Sequence, residues 1–329
     1  MNTVLVIGGT RFIGRAVVEE FREHGYDVTI CNRGNHANPF ADDPAVTHVE
    51  ADRRDRGDLE AVRDHVDPDA VIDCVAYFPE DVRVATEVFA DTEAYVYVSS
   101  GASYGVEQVP KREGDTPLCD CTPEQATTDS AATYGPRKAE GDRAVFAAAE
   151  RGVRAMSVRP TVVYGPHDYT ERFDYWIDRV DNHESVVVPG DGLTLWQLAF
   201  VEDVASALRI VAEEGTAGEA YNVGDEDAPT LGQWIDLLAD ACDTEVRQVG
   251  ASERELAREG LEPNDFPIYR DPPHLLSTAK LRSLGWSSTP HDEALARTVA
   301  EHRESDRTGR ASGPDRETEI ELVESLLAR

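Results

Sequence analysis

The stretch TVLVIGGTRFIG, Thr3 to Gly14, decides how the rest of the chain reads. Val4 to Ile7 is a short, continuous apolar run rich in β-branched residues, the pattern of a buried strand. Gly8 and Gly9 follow at once, and Phe12, Ile13, Ala16, Val17 and Phe21 then recur at helical spacing. Strand, glycine turn and helix make the first half of a βαβ unit. The physics of such a turn is anion binding, because the free N–H groups and the dipole at a helix N-terminus hold a pyrophosphate. Gly8 allows the tight turn, and Gly14 lets the helix lie close to the sheet. Written as G-x-x-G-x-x-G, the positions are Gly8, Arg11 and Gly14, so Arg11 replaces the middle glycine.

Strands continue to alternate with helices downstream. Asp27–Cys31, Val46–Glu50, Ala70–Val75, Ala94–Ser99 and Val153–Val158 read as strands. Asp58–Val66, with Asp58 as N-cap, Pro79–Ala90 and Tyr134–Arg151, with Pro136 in its first turn, read as helices. This rhythm predicts an α/β fold with a doubly wound parallel sheet of the Rossmann type. Beyond Arg159 the pattern mixes helices (Tyr169–Val180, Val201–Glu214, Leu231–Cys242, Glu293–Arg303) with short strands (Ser185–Val188, Tyr221–Val223). A smaller C-terminal α+β substrate lobe is therefore expected. The predicted division is a nucleotide-binding domain over 1–165, the lobe over 166–304, interleaved with the sheet, and a charged tail over 305–329. The proline-rich, acidic stretch from Val106 to Ala132 reads as a flap beside the site. Arg303 to Glu317 reads as a mobile linker, and Glu319 to Leu327 as a short terminal helix.

Composition narrows the function. The net charge is −32, from 64 acids against 32 bases, and only Lys111, Lys138 and Lys280 are lysines. Such a surface repels itself at low ionic strength, and molar salt, with a Debye length of about 3 Å, screens it. The composition resembles that of proteins from salt-accumulating halophiles. A phosphate backbone is a poor partner for it, so nucleic acid is not the expected ligand. The chain has no apolar run of membrane-spanning length and enters a strand at once, so a cytoplasmic protein without a membrane partner is expected. The five cysteines form no C-x-x-C pair, which favours free thiols and no metal centre, with Cys119 and Cys121 as a metal or redox pair the alternative.

The tip of the second strand carries Asn32-Arg33-Gly34. In this architecture an acid at that tip accepts from the ribose hydroxyls of NAD. Here Arg33, and Arg11 nearby, can instead pair with a 2′-phosphate, which favours NADP over NAD. Tyr134 and Lys138 form Y-x-x-x-K, and residues four apart on a helix share a face. Hydride transfer at a carbinol needs a proton to move as well, and a tyrosine can move it if its pKa of about 10 falls toward neutrality. An adjacent ammonium helps to lower it. Ser99-Ser100 ends the fifth strand, where ligands of open α/β sheets bind.

With these residues in hand, the chain resembles the extended and atypical short-chain dehydrogenase/reductase superfamily, in the group named NAD-dependent epimerase/dehydratase. The resemblance spans roughly Thr3 to His302. GGTRFIG resembles the cofactor loop, which implies contacts from Gly8, Thr10, Arg11, Phe12, Ile13 and Gly14. VSSGASYG, Val98 to Gly105, is similar to the serine motif and points to Ser100. YGPRK matches the tyrosine–lysine pair, and RPTVVYGP resembles the segment in which Pro160 and Thr161 line the nicotinamide. The resemblance also puts Asp52 at the adenine and Val75-Ala76 beside the cofactor. Ser100, Tyr134 and Lys138 are then the catalytic residues of an NAD(P)-dependent oxidoreductase or epimerase. The resemblance implies a small-molecule substrate, sugar-like or a nucleotide sugar, and a homodimer as the candidate quaternary state.

Three departures from the family pattern stand out. Val162 replaces the asparagine, and Trp196 the arginine, that contact a substrate diphosphate. Gly101-Ala102 replace the Asp-Glu of 4,6-dehydratases, which speaks against dehydration. GGTRFIG, Asn32-Arg33-Gly34 and YFPED also resemble the branch containing the chloroplast stem-loop-binding proteins. That supplies an alternative, an RNA-binding member or a cofactor-sensing regulator without turnover.

Overall fold

The computed structural model describes residues 1–328. They form two compact units, one of Met1–Val163, Val201–Gly224 and Leu276–Ser288, the other of Tyr164–Phe200, Asp225–Leu275 and Thr289–Arg329. Among the described residues no helix is long and apolar enough to cross a membrane.

The first unit is built on β1 (Thr3–Ile7), α1 (Phe12–Glu23), β2 (Asp27–Asn32), β3 (Val46–Glu50), α2 (Arg56–Val66), β4 (Ala70–Asp73), α3 (Pro79–Val88), β5 (Ala94–Val98), the helix Ala131–Glu150, β6 (Ala155–Pro160), the helix Val201–Glu214 and the strand Ala220–Val223. The seven strands lie in the order Ala220–Val223, β6, β5, β4, β1, β2, β3, and every pairing is parallel. A parallel sheet needs helical crossovers, which cover both of its faces. That is why β1, β4 and β5 are apolar almost throughout and buried from Val4 onward. From β1 the chain winds outward to β2 and β3, returns to β4, and winds the other way. β1 and β4 are thus neighbours whose connections diverge, and the crevice at their carboxyl ends is the binding position of such sheets.

Three local readings need correction. Helix α2 begins at Arg56, because Asp55 rather than Asp58 is its N-cap, accepting from Asp58 N. The helix bearing Tyr134 begins at Ala131, since Ser130 caps it and donates its N–H to Thr133 Oγ1 at 3.2 Å. Pro136 therefore lies inside the helix and leaves the Ala132 carbonyl without its usual donor. The 106–132 stretch is a strap and not a flap. Lys111 O accepts from Ser277 N at 2.8 Å, and Glu113 Oε1 accepts from Asn222 N at 2.9 Å. The strap thereby covers the edge strand Ala220–Val223, whose polar backbone would otherwise be open to pairing.

The second unit has a parallel pair of strands, Ser185–Pro189 with Arg247–Ala251, and the helices Arg172–Asn182, Leu231–Cys242, His291–Glu304 and Arg316–Leu327. Tyr164, Phe173, Phe200 and Trp234 pack edge to face or tilted in its core. Trp196 is buried there too, 5.6 Å from Trp176 between ring centroids. Residues 303–317, expected as a linker, are held by ion pairs from Arg307 to Asp174 and Glu301 and from Arg310 to Asp178. The last helix inserts Glu319, fully buried, between Arg179 and the Tyr175 hydroxyl.

Candidate active site

All the residues singled out for cofactor and chemistry fall in the first unit. Two glycines shape the crevice. A Cβ on Gly8, whose φ is +100°, would stand 2.5 Å from Val75 Cγ1, and one on Gly14 would stand 2.5 Å from Gly8 O. Only hydrogen fits at either place, so the N-terminus of α1 sits against the β1 turn. No acid occupies the first turn of α1, and its N–H groups keep their positive field. Thr10 N donates to Gly8 O at 2.9 Å, and Ile13 is half-buried. Phe12 is buried in a left-handed backbone, φ +38°, a strained state for a bulky residue. Arg11 is exposed, and its Nη1 lies 3.3 Å from His36 Nε2.

At the end of β2, Asn32 Oδ1 accepts from Gly34 N at 2.8 Å, and Arg33 is exposed. Asp52 accepts from Arg54 N at 3.0 Å. Past β4, Val75 touches the Gly8 turn, and Ala76 is buried with its carbonyl facing Lys138. Pro160 ends β6, and Thr161 N donates to Val223 O at 2.9 Å. The Thr161 hydroxyl is buried and finds no partner among the described residues.

Lys138 ties the arrangement together. Its Nζ donates to Ala76 O at 3.0 Å and Val98 O at 2.8 Å, using two of the ammonium's three N–H groups. The helix is thus anchored to the ends of both β4 and β5. Nζ lies 5.8 Å from the centroid of the Tyr134 ring and 4.8 Å from that of Tyr97. Burial pulls the Lys138 pKa down from 10.5 to about 8, against the pull of Asp73 and Asp142 in the other direction. Ser100 follows β5 by two residues, and its Oγ accepts from Ala102 N at 3.2 Å. A Cβ on Gly135 would stand 2.5 Å from Ala102 O, so the helix turn bearing the half-buried Tyr134 packs directly on the Ser100 turn. The fold therefore gathers Ser100, Tyr134 and Lys138 at one end of the sheet.

Some neighbours of this site were not foreseen. Arg53 is buried and pairs with Asp73, itself fully buried, and with Asp81 at 3.2 Å. Tyr95 adds a hydrogen bond to Asp73 at 2.9 Å, and Asp81 accepts from Tyr77 N and Phe78 N. The available signal was Asp73, a charge closing an otherwise apolar strand. A second buried pair, Arg159 with Asp142 at 2.9 Å, is braced by the Tyr104 hydroxyl at 3.0 Å. His36 and His48 also flank the end of β2.

The family model of the NAD dependent epimerase/dehydratase family matches residues 4–224. The chain belongs to this family. It is 27% identical over 301 residues to the chloroplast stem-loop binding protein of 41 kDa b of Arabidopsis thaliana, covering 86% of this chain and 74% of that one. It is 28% identical over 317 residues to the low-salt glycan biosynthesis protein Agl12 of Haloferax volcanii, covering 86% and 92%. Among solved structures, the dTDP-glucose 4,6-dehydratase of Bacillus anthracis in complex with NAD superposes with a TM-score of 0.73 at 18% identity, over 95% of this chain and 100% of that one. That likeness establishes the fold, and the Bacillus anthracis structure holds NAD.

Proposed function

We propose that this chain is an NAD(P)-dependent oxidoreductase or epimerase acting on a hydroxyl or carbonyl of a sugar-like or nucleotide-sugar substrate through Ser100, Tyr134 and Lys138. The observation that carries this reading is the double anchorage of Lys138 on Ala76 O and Val98 O, on the helix that bears Tyr134. A dinucleotide fits the residues present. The glycine cradle has no room for a Cβ, and two buried polar atoms, Asn32 Nδ2 and Thr161 Oγ1, lack partners among the described residues. The loop Gly8, Thr10, Arg11, Phe12, Ile13 and Gly14 would hold its pyrophosphate, and Asn32, Arg33 and Asp52 its adenosine end. Val75, Ala76, Tyr134, Lys138, Pro160 and Thr161 would hold its nicotinamide end.

When bound, the nicotinamide supplies the hydride chemistry. Tyr134 gives or takes the proton at the substrate oxygen, and Ser100 hydrogen-bonds that oxygen. Lys138, cationic below about pH 8, favours the tyrosinate electrostatically. Gly101 and Ala102 offer no carboxylate after Ser100, which favours redox or epimerisation over loss of water. Arg11 and Arg33, with no acid at the β2 tip, favour NADP over NAD.

Tyr134→Phe is expected to abolish turnover while cofactor affinity stays within about threefold, a change of under 1 kcal/mol. The substrate is sought by following nicotinamide absorbance over sugars, nucleotide sugars and small alcohols. Undiminished turnover in Tyr134→Phe removes the mechanism. The similarity to a stem-loop binding protein gives RNA binding as a second reading, which the charge of −32 opposes. Tight RNA binding without any turnover would establish it instead.

A further inference from the structure

The end of β2 carries more information than its residue types. Asn32 Oδ1 lies 2.8 Å from Gly34 N. A backbone N–H only donates, so this contact decides which end of the carboxamide is oxygen. His48 Nε2 lies 3.1 Å from the same oxygen, so that nitrogen carries a proton and donates as well. Both lone pairs of Oδ1 are then occupied. The other end of the amide, Nδ2, is buried and has no partner among the described residues. A buried donor left unmatched is costly, and its persistence at a strand tip that faces a ligand position points to an acceptor supplied by that ligand.

His48 reaches Asn32 because β3 pairs with β2 in parallel, with Ile30 opposite His48 and Asn32 opposite Glu50. Its own strand, β3, is the edge of the sheet, and the His48 side chain is half-buried. Around the same tip stand the exposed Arg33, Arg11 with its His36 contact, and Glu50, which packs against the Gly34 turn and opposes an anion there.

We propose that His48 is a specificity-determining positioning residue, which makes Asn32 a pure hydrogen-bond donor toward the adenosine 2′ position and so selects a 2′-phosphate over a 2′-hydroxyl. This rests on the dinucleotide reading given above. A ribose hydroxyl uses an acceptor at this tip, which is the role an acid plays in NAD-binding sheets. A phosphate needs only donors, and the locked amide presents one beside two guanidinium groups. Without His48, one lone pair of Oδ1 is released and can accept from a 2′-hydroxyl.

The test is calorimetric titration of NADP and NAD into the full chain, wild type and variants, at about 1 M KCl to hold screening constant. Wild type is expected to prefer NADP. His48→Leu should narrow the ratio of the two dissociation constants by about three- to tenfold, the scale of one hydrogen bond, chiefly by strengthening NAD. His48→Gln, which can still donate from its amide, should restore the ratio, a rescue that a merely structural role would not produce. Asn32→Asp keeps both donors to one oxygen and turns the other into an acceptor, so it should reverse the preference, and it serves where His48→Leu does not fold. An unchanged ratio in His48→Leu or in Asn32→Asp, or a wild type that prefers NAD, overturns the proposal and leaves the cofactor reading standing. Failure of wild type to bind either nucleotide removes the reading on which it rests.

Discussion

Lys138 offers a measurement that reads the candidate site without substrate. Its side chain is 2% exposed, and burial holds its pKa at about 8 in the folded chain against 10.5 in an open one. Each unit of pKa is worth about 1.4 kcal/mol, so keeping the ammonium inside costs roughly 3 kcal/mol at neutral pH. The sign follows from proton counting. Between about pH 8 and 10.5 the unfolded chain still carries the proton and the folded chain has shed it, so stability rises with pH through that window. Below about pH 8 both states are protonated and the full penalty applies. Lys138→Met removes the titration, along with the bonds to Ala76 O and Val98 O, whose loss is independent of pH. The assay is urea unfolding of both proteins without cofactor, from pH 7 to 10.5 at constant molar salt, comparing midpoints at matched slope. Stability of wild type relative to Lys138→Met should climb by roughly 3 kcal/mol across the range, because every other titrating group is common to both. A flat difference would mean that Lys138 is not desolvated, and the electrostatic role given to it would fall.

Two further outcomes follow from the same structure. Gly135→Ala places a methyl group 2.5 Å from the Ala102 carbonyl, a backbone atom that cannot swing away. Overpacking of about 1–3 kcal/mol should lower the melting temperature by several degrees and cut kcat at least tenfold by displacing the Ser100 turn; unchanged kcat would show that the turn tolerates movement. The excess of acids, 64 against 32 bases, should make the thermal midpoint rise with KCl from a few tenths molar to the molar range. Circular dichroism melts at both ends of that range check this, and a constant midpoint would leave the acidic surface needing another cause.

The strand–glycine–helix opening was legible because each step has a local cause: apolar β-branched residues for β1, glycine where a Cβ has no room, helical spacing after it. The parallel sheet followed from alternation, and β3, Val201–Glu214 and Leu231–Cys242 fall where periodicity puts them. The tyrosine and lysine were legible for a similar reason, since four residues on a helix fix their relation before any tertiary contact forms. Pro136 misled because proline ordinarily punctuates, whereas Ser130 caps the helix and carries it past the proline. His48 with Asn32 depends on sheet register, and Arg53 with Asp73 and Asp81 on the packing of the loop after β3 against β4 and α3; both join segments that lie apart in sequence. The 106–132 strap looked like a loop because what holds it, Ser277 and Asn222, is supplied from far along the chain.

The distribution of cations links stability to chemistry. Three ion pairs with both side chains buried are built on arginine, Arg53 with Asp73, Arg159 with Asp142 and Arg179 with Glu319, while the buried Lys111 pairs with the exposed Glu107. A guanidinium stays charged whatever its surroundings and presents a planar fork of donors, so burial does not neutralise it. Lysine responds in the opposite way. Burial away from carboxylates moves the ammonium pKa toward working pH, which on the proposed mechanism is useful beside a residue that exchanges a proton. In a chain with three lysines, Lys138 is the one held by two backbone carbonyls and no carboxylate, with its pKa drawn down to about 8. An arginine there would keep its charge at every working pH and could not be tuned. On the proposed mechanism, lysine at 138, in a chain that elsewhere prefers arginine, supplies a cation whose charge the site can adjust.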